Sequence, residues 1–156
     1  MDSEEGVMSL PLRLAVSMIV VSLALPLCLQ SISDGGRELS RTAAMRVSEE
    51  ISRAAGEVSS KPVGESRVIR TGEDIRALGQ SVTIIVGRLL GEGGFDSIRC
   101  ADSYGWTRLV RVDLSPEIVG FCSFDLQPVI IGAGSGDILI SHGRHPCGDI
   151  VQIGFV

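Results

Sequence analysis

The chain has 156 residues, with 14 Lys and Arg against 19 Asp and Glu and a formal net charge of −5. That length leaves room for one modest domain beside any membrane segment, and the mild acidic balance offers no basic face for nucleic acid. Its four cysteines contain no CxxC pair, which excludes the usual ligand spacing of a structural zinc site.

Residues 1–6, MDSEEG, read as a short acidic tail or leader, without the basic start and small-residue cleavage site of a secretory signal. Residues 7–29 follow as 23 residues with a single charge, Arg13. As a helix at ~1.5 Å per residue they reach about 34 Å, enough for a hydrocarbon core of about 30 Å. Leu14, Ala15, Val16, Met18, Ile19, Val20 and Val21 point in every direction around the axis. A helix apolar all round needs apolar surroundings all round, and the rest of this chain is too small to wrap one. The expectation is a transmembrane helix over 7–32, with the lipid bilayer as its partner. Pro11 is tolerated in the first turn, Pro26 predicts a kink, and Arg13 can snorkel to the nearby interface.

Residues 33–61 predict a second helical stretch. Asp34, Gly35 and Gly36 are placed to loosen the chain, after which Leu39, Ala43, Val47, Ile51, Ala54 and Val58 recur at spacings of four and three. Lys61-Pro62 ends it. This amphipathic stalk has a stripe suited to covering either its own β-domain or a neighbouring copy.

From residue 62 the period shortens. SRVIR (66–70), SVTIIVG (81–87), DSIRC (96–100), WTRLVRVDL (106–114), GFCSF (120–124), PVIIG (128–132), DILIS (137–141) and DIVQIGFV (149–156) read as strands between Gly, Pro, Asp and Ser. The last two predict a hairpin through HGRHPCG (142–148). The fold class is therefore α+β: a membrane helix, a stalk helix, then a small antiparallel β-sandwich over 62–156.

Little in this pattern carries reaction chemistry, and no catalytic residue or cofactor is expected. GAGSG (132–136) lacks the following helix of a dinucleotide loop, and GRLLGEGG (87–94) lacks the Lys-Ser/Thr of a phosphate loop; both read as connections. Glu73, Asp74, Glu92 and Asp96 have no pairing that implies acid/base work. Neither histidine has an evident triad partner, and no GxSxG elbow occurs. His142, His145 and Cys147 are the one metal-like cluster, since imidazole and thiolate suit zinc or copper. With Arg144 between the histidines, the expected state is an exposed polar loop holding no metal. In an oxidising exterior, two of Cys100, Cys122 and Cys147 have the opportunity to pair, the pair being left open by the sequence.

Glu4, Glu5 and Gly6 immediately before Val7-Met8-Ser9-Leu10, then a long apolar helix, an amphipathic continuation and a small β-domain: this organisation resembles archaeal type IV pilin-like proteins. The resemblance implies processing after Gly6, between Glu5-Gly6 and Val7, by a prepilin peptidase. It further implies a non-catalytic cell-surface subunit whose partners are copies of itself or other pilin-like subunits. Pro11 stands five residues after Gly6, where bacterial pilins carry a glutamate. The same outline is similar to membrane-anchored stator proteins of the archaellum, in which an unprocessed helix holds a β-sandwich outside the membrane against the surface layer. In both, the β-domain is extracytoplasmic and the N-terminus inside. A tethered module binding a small ligand or metal is the remaining alternative.

Overall fold

The computed structural model describes residues 4–87 and 96–156, with side chains from Pro11 onward. Ten elements follow in order: α1 (Glu4–Ser59), β1 (Ser66–Ile69), α2 (Gly72–Ala77), β2 (Val82–Val86), β3 (Ser97–Asp102), β4 (Thr107–Arg111), β5 (Ile118–Ser123), β6 (Val129–Ile131), β7 (Ile138–His145) and β8 (Gly148–Phe155). The chain divides into two units, Met1–Glu38 and Leu39–Val156.

The first unit is helical from Glu4 onward, and its side chains from Pro11 to Gly36 are exposed. The helix runs through Pro26 and through Asp34, Gly35 and Gly36 without a break. Where the sequence predicts a loosening, nothing lies within 4 Å of a Cβ placed on either glycine.

The second unit is an α+β body of two four-stranded sheets, in the orders β1-β7-β8-β5 and β4-β3-β2-β6. The later turns of α1 complete its core: Ala43, Ala44, Val47, Ile51, Ala54, Ala55 and Val58 are buried in one cluster with residues of both sheets. Of the two covers the sequence offers for this stripe, the helix takes the chain's own sheets. Leu39, which the spacing places on the stripe, is instead 70 % exposed. Small side chains let the helix approach closely. A Cβ on Gly56 would lie 3.0 Å from the Asp113 carbonyl oxygen, so that position has little room for a larger residue.

Strand alternation decides which residues face that core. In β2 the pattern buries Val82, Ile84 and Val86, and in β3 it buries Ile98 and Cys100. Gly87 ends β2 at a φ of +94°, and a Cβ there would come 2.6 Å from the Phe121 carbonyl oxygen, so glycine is required twice over.

Three expectations need correction. The sheets are not wholly antiparallel: β5 pairs parallel with β8. The chain leaves β5 for β6 in the other sheet before returning through β7, and strand composition does not encode which neighbour a strand finally meets. The segment between β1 and β2 contains α2, whose six residues are too few to show a helical period, although it buries Ile75 and is followed by buried Leu78. Finally, β7 and β8 form the expected hairpin but pair as far as His145 with Gly148, so the loop is shorter than 142–148.

Candidate membrane anchor and the sites around it

Leu12, Leu14, Val16, Met18, Ile19, Val20, Val21, Leu23, Leu25, Leu27, Leu29 and Ile32 all lie exposed on α1. The segment is long and apolar enough to cross a membrane, and none of its most apolar stretch is buried within the chain. Moving twelve such side chains out of water is worth roughly 20–35 kcal/mol, at about 1.5–3 kcal/mol each. An exposed apolar surface of that extent marks an interaction site, since soluble monomers rarely carry one. Ser31 donates to the Leu27 carbonyl oxygen at 3.0 Å, which hides a hydroxyl inside the helix near the end of the apolar stretch. The residues expected for processing, Glu5, Gly6 and Val7, fall in the first turns of α1, and their side chains lie outside the described residues. Glu92 and most of 87–94 also lie outside the described residues.

The hairpin cluster comes apart by position. His142 sits within β7 and is only 7 % exposed, its Nδ1 2.6 Å from the Lys61 carbonyl oxygen. Because a carbonyl only accepts, Nδ1 donates in this bond, while Nε2, the other ring nitrogen, makes no hydrogen bond among the described residues. Asp149 stands 3.8 Å from that Nε2 and also accepts from Arg144 Nε at 3.1 Å. His145 Nδ1 instead accepts from the Cys147 backbone N–H at 3.3 Å in the turn. Among the described residues no group of three or more His, Cys, Asp or Glu is placed to hold a metal ion. His142 acts here as a strap between the end of α1 and β7, alongside the backbone bonds from Gly64 to His142 and from His142 to Glu65.

The four cysteines are free thiols. Cys100 is buried under α1, its Sγ 2.9 Å from Ser48 Oγ, while Cys122 is half-buried on β5 in the other sheet and Cys147 is exposed at the hairpin turn. Burial pushes the Cys100 thiol up, the Ser48 hydroxyl only partly opposing it, and burial also raises Cys122. Both are therefore poor nucleophiles.

A connected polar cluster lies where α1 enters the second unit. Arg41 donates from Nε and Nη2 to Asp102 Oδ2 at 2.9 and 2.6 Å. Asp102 Oδ1 accepts from the backbone N–H groups of Tyr104 and Trp106 at 2.9 and 2.8 Å, and the Arg41 guanidinium lies 5.4 Å from the centre of the Trp106 ring. The sequence does not reveal this clamp, because its partners are 61 residues apart. Burial tends to raise the Asp102 carboxyl, yet the Arg41 hydrogen bonds, the Trp106 and Tyr104 amides and the Arg41 charge together hold it below the usual range. A carboxylate lowered on folding contributes stability that is whole above its ordinary value near ~3.9 and is lost as pH falls through the lower folded value. The full chain in detergent should therefore lose thermal stability below about pH 4, and Asp102→Asn should flatten that part of the curve while lowering stability at neutral pH. Melting temperatures of both proteins between neutral and acid pH check this.

A cleft between α2 and the turn after β6 is lined by Gly72, Ile75, Arg76, Gly134, Ser135, Gly136 and Asp137. GAGSG is thus a turn between strands, closed by the bonds from Ser135 N–H to the Gly132 carbonyl and from Gly132 N–H to Ser135 Oγ.

No family model, curated protein or solved structure matches this chain. Its architecture is one long N-terminal helix, apolar in its first half, followed by a small α+β unit with two sheets among the described residues.

Proposed function

We propose that this is a single-pass, non-catalytic membrane protein that presents its α+β unit outside the cell, with the organisation of an archaeal type IV pilin-like subunit. One observation carries the reading: an apolar helical segment with no cover of its own precedes a unit that has already buried the rest of the same helix. The first half of α1 is left to bilayer or to other copies, and the second half is occupied. In this reading 7–32 is the span and 33–61 the stalk. The bilayer is the first partner, and copies of the chain or other pilin-like subunits are the second. Arg13 favours retention in the bilayer as the resting state, because an unpaired charge inside a packed helical core is costly while an interfacial one is not.

Two versions differ in the N-terminus. A processed subunit loses residues 1–6 by cleavage after Gly6, and a stator-like anchor keeps them. Intact mass of the protein from its native membrane separates them. The pilin-like version expects a chain that begins at Val7, and Gly6→Leu restores the full-length mass and removes the protein from any surface assembly. Unchanged mass and assembly on that substitution would eliminate processing and leave the anchored version.

A further inference from the structure

Strand register brings two connections side by side at one end of the β1-β7-β8-β5 sheet. Ile69, the last residue of β1, pairs with Ile138, the first of β7. The chain leaving β1 passes through Thr71 into α2, and the chain arriving at β7 comes through the turn after β6. Ile75 and Arg76 of α2 and Ser135 and Asp137 of that turn therefore line one cleft, with a volume of about 390 Å³. That lies within the range of small-molecule sites, about 300–1,000 Å³. Both sides are held in place. Ile75 and Leu78 are buried and fix α2 to the core. The turn is closed by the bonds between Gly132 and Ser135, and the Asp137 carbonyl accepts from the Val156 N–H at 2.9 Å.

The cleft holds a cation and an anion that do not satisfy each other. Neither the Arg76 guanidinium nor the Asp137 carboxylate has a hydrogen bond or ion pair among the described residues, although Asp137 is half-buried. A charge withdrawn from water without a partner carries a cost that a bound counter-group would remove. Ser135 Oγ accepts from the Gly132 N–H at 3.1 Å, which leaves its hydroxyl proton to donate elsewhere.

From this lining we propose that the cleft binds a small zwitterion of the α-amino-acid class. Arg76 and Ser135 donate to the ligand carboxylate, Asp137 accepts from its ammonium group, and Ile75 supplies an apolar contact for its side chain. A simple anion would meet the Asp137 charge and a simple cation the Arg76 charge, so a ligand carrying both signs is the one that neither repels. Among the described residues no aromatic ring lines the cleft to stack on a sugar. The site lies wholly within the second unit, so it stands independently of the membrane reading.

The test is calorimetric titration of the full chain in detergent with glycine, L-alanine and L-leucine. Acetate and ethylammonium serve as single-charge probes and glucose as a neutral one. The proposal expects saturable binding of at least one amino acid, and none of acetate, ethylammonium or glucose over the same range. Arg76→Gln and Asp137→Asn should each weaken that binding about tenfold or more, the worth of one charge-assisted hydrogen bond. Both should leave the circular dichroism and melting temperature of the unliganded protein unchanged, because neither side chain has a partner to lose. Acetate binding as tightly as the amino acid would make this an anion site and overturn the proposal. Amino-acid binding that survives either substitution, or no binding of any of the three at millimolar concentration, would overturn it as well.

Discussion

A chain of residues 34–156 should fold as a soluble unit, whereas one of residues 63–156 should not. The difference is the stalk. Val47, Ile51 and Val58 are fully buried, together with four alanines of the same helix. Burial of three branched side chains alone is worth roughly 5–9 kcal/mol. That is comparable to the whole stability of a typical domain, about 5–15 kcal/mol. Removing the helix would also uncover Ile84, Ile98 and Cys100 on the sheet it covers and leave Asp102 without its guanidinium. The measurement is urea unfolding followed by circular dichroism. The longer chain should give one cooperative transition, and the shorter chain none. A cooperative, strand-rich shorter chain would show that the sheets need no helix.

Charging the centre of the apolar segment should have the second large effect. Arginine at the middle of a spanning helix costs about 2.5–3.5 kcal/mol on insertion scales. Ile19→Arg with Val21→Arg together should therefore shift insertion by on the order of 10⁴-fold, since each 1.4 kcal/mol is a factor of ten. The double variant should leave the membrane fraction on flotation, while Ile19→Leu stays. Because both positions lie in the other unit, the circular dichroism of the second unit should not change.

How much of this was written in the sequence differs from element to element, for physical reasons. The eight strands of the described residues are all visible, because runs of Val and Ile between Gly, Pro, Asp and Ser leave little else for the backbone to do. The stalk stripe was visible from Ala43 to Val58, since helical spacing survives in 3.6-residue steps. Its cover was not visible, because small residues such as Ala44, Ser48 and Gly56 suit a close sheet as well as a neighbouring helix. The parallel pairing of β5 with β8 is a property of chain routing. Helix α2 is shorter than two turns, so Ile75 and Leu78 alone could not announce it. Among site residues, the local sequence places His142 in an exposed loop with His145 and Cys147. Extension of β7 instead carries it into a buried position against the Lys61 carbonyl. The Arg41–Asp102 clamp left no local trace, since each residue looks like an ordinary surface charge until the hairpin lies along the helix.

The central claim is that α1 crosses the membrane and leaves the sheets outside. Cys147 reports on it directly: it is exposed at the β7–β8 turn, whereas Cys100 is buried and Cys122 half-buried. Intact cells are treated with a membrane-impermeant maleimide, with Cys147→Ser as the control, and their membranes are then washed at alkaline pH. The account predicts that Cys147 is labelled without lysis and that the labelled protein stays in the membrane pellet. Labelling only after lysis, or release of the protein by the wash, would contradict it.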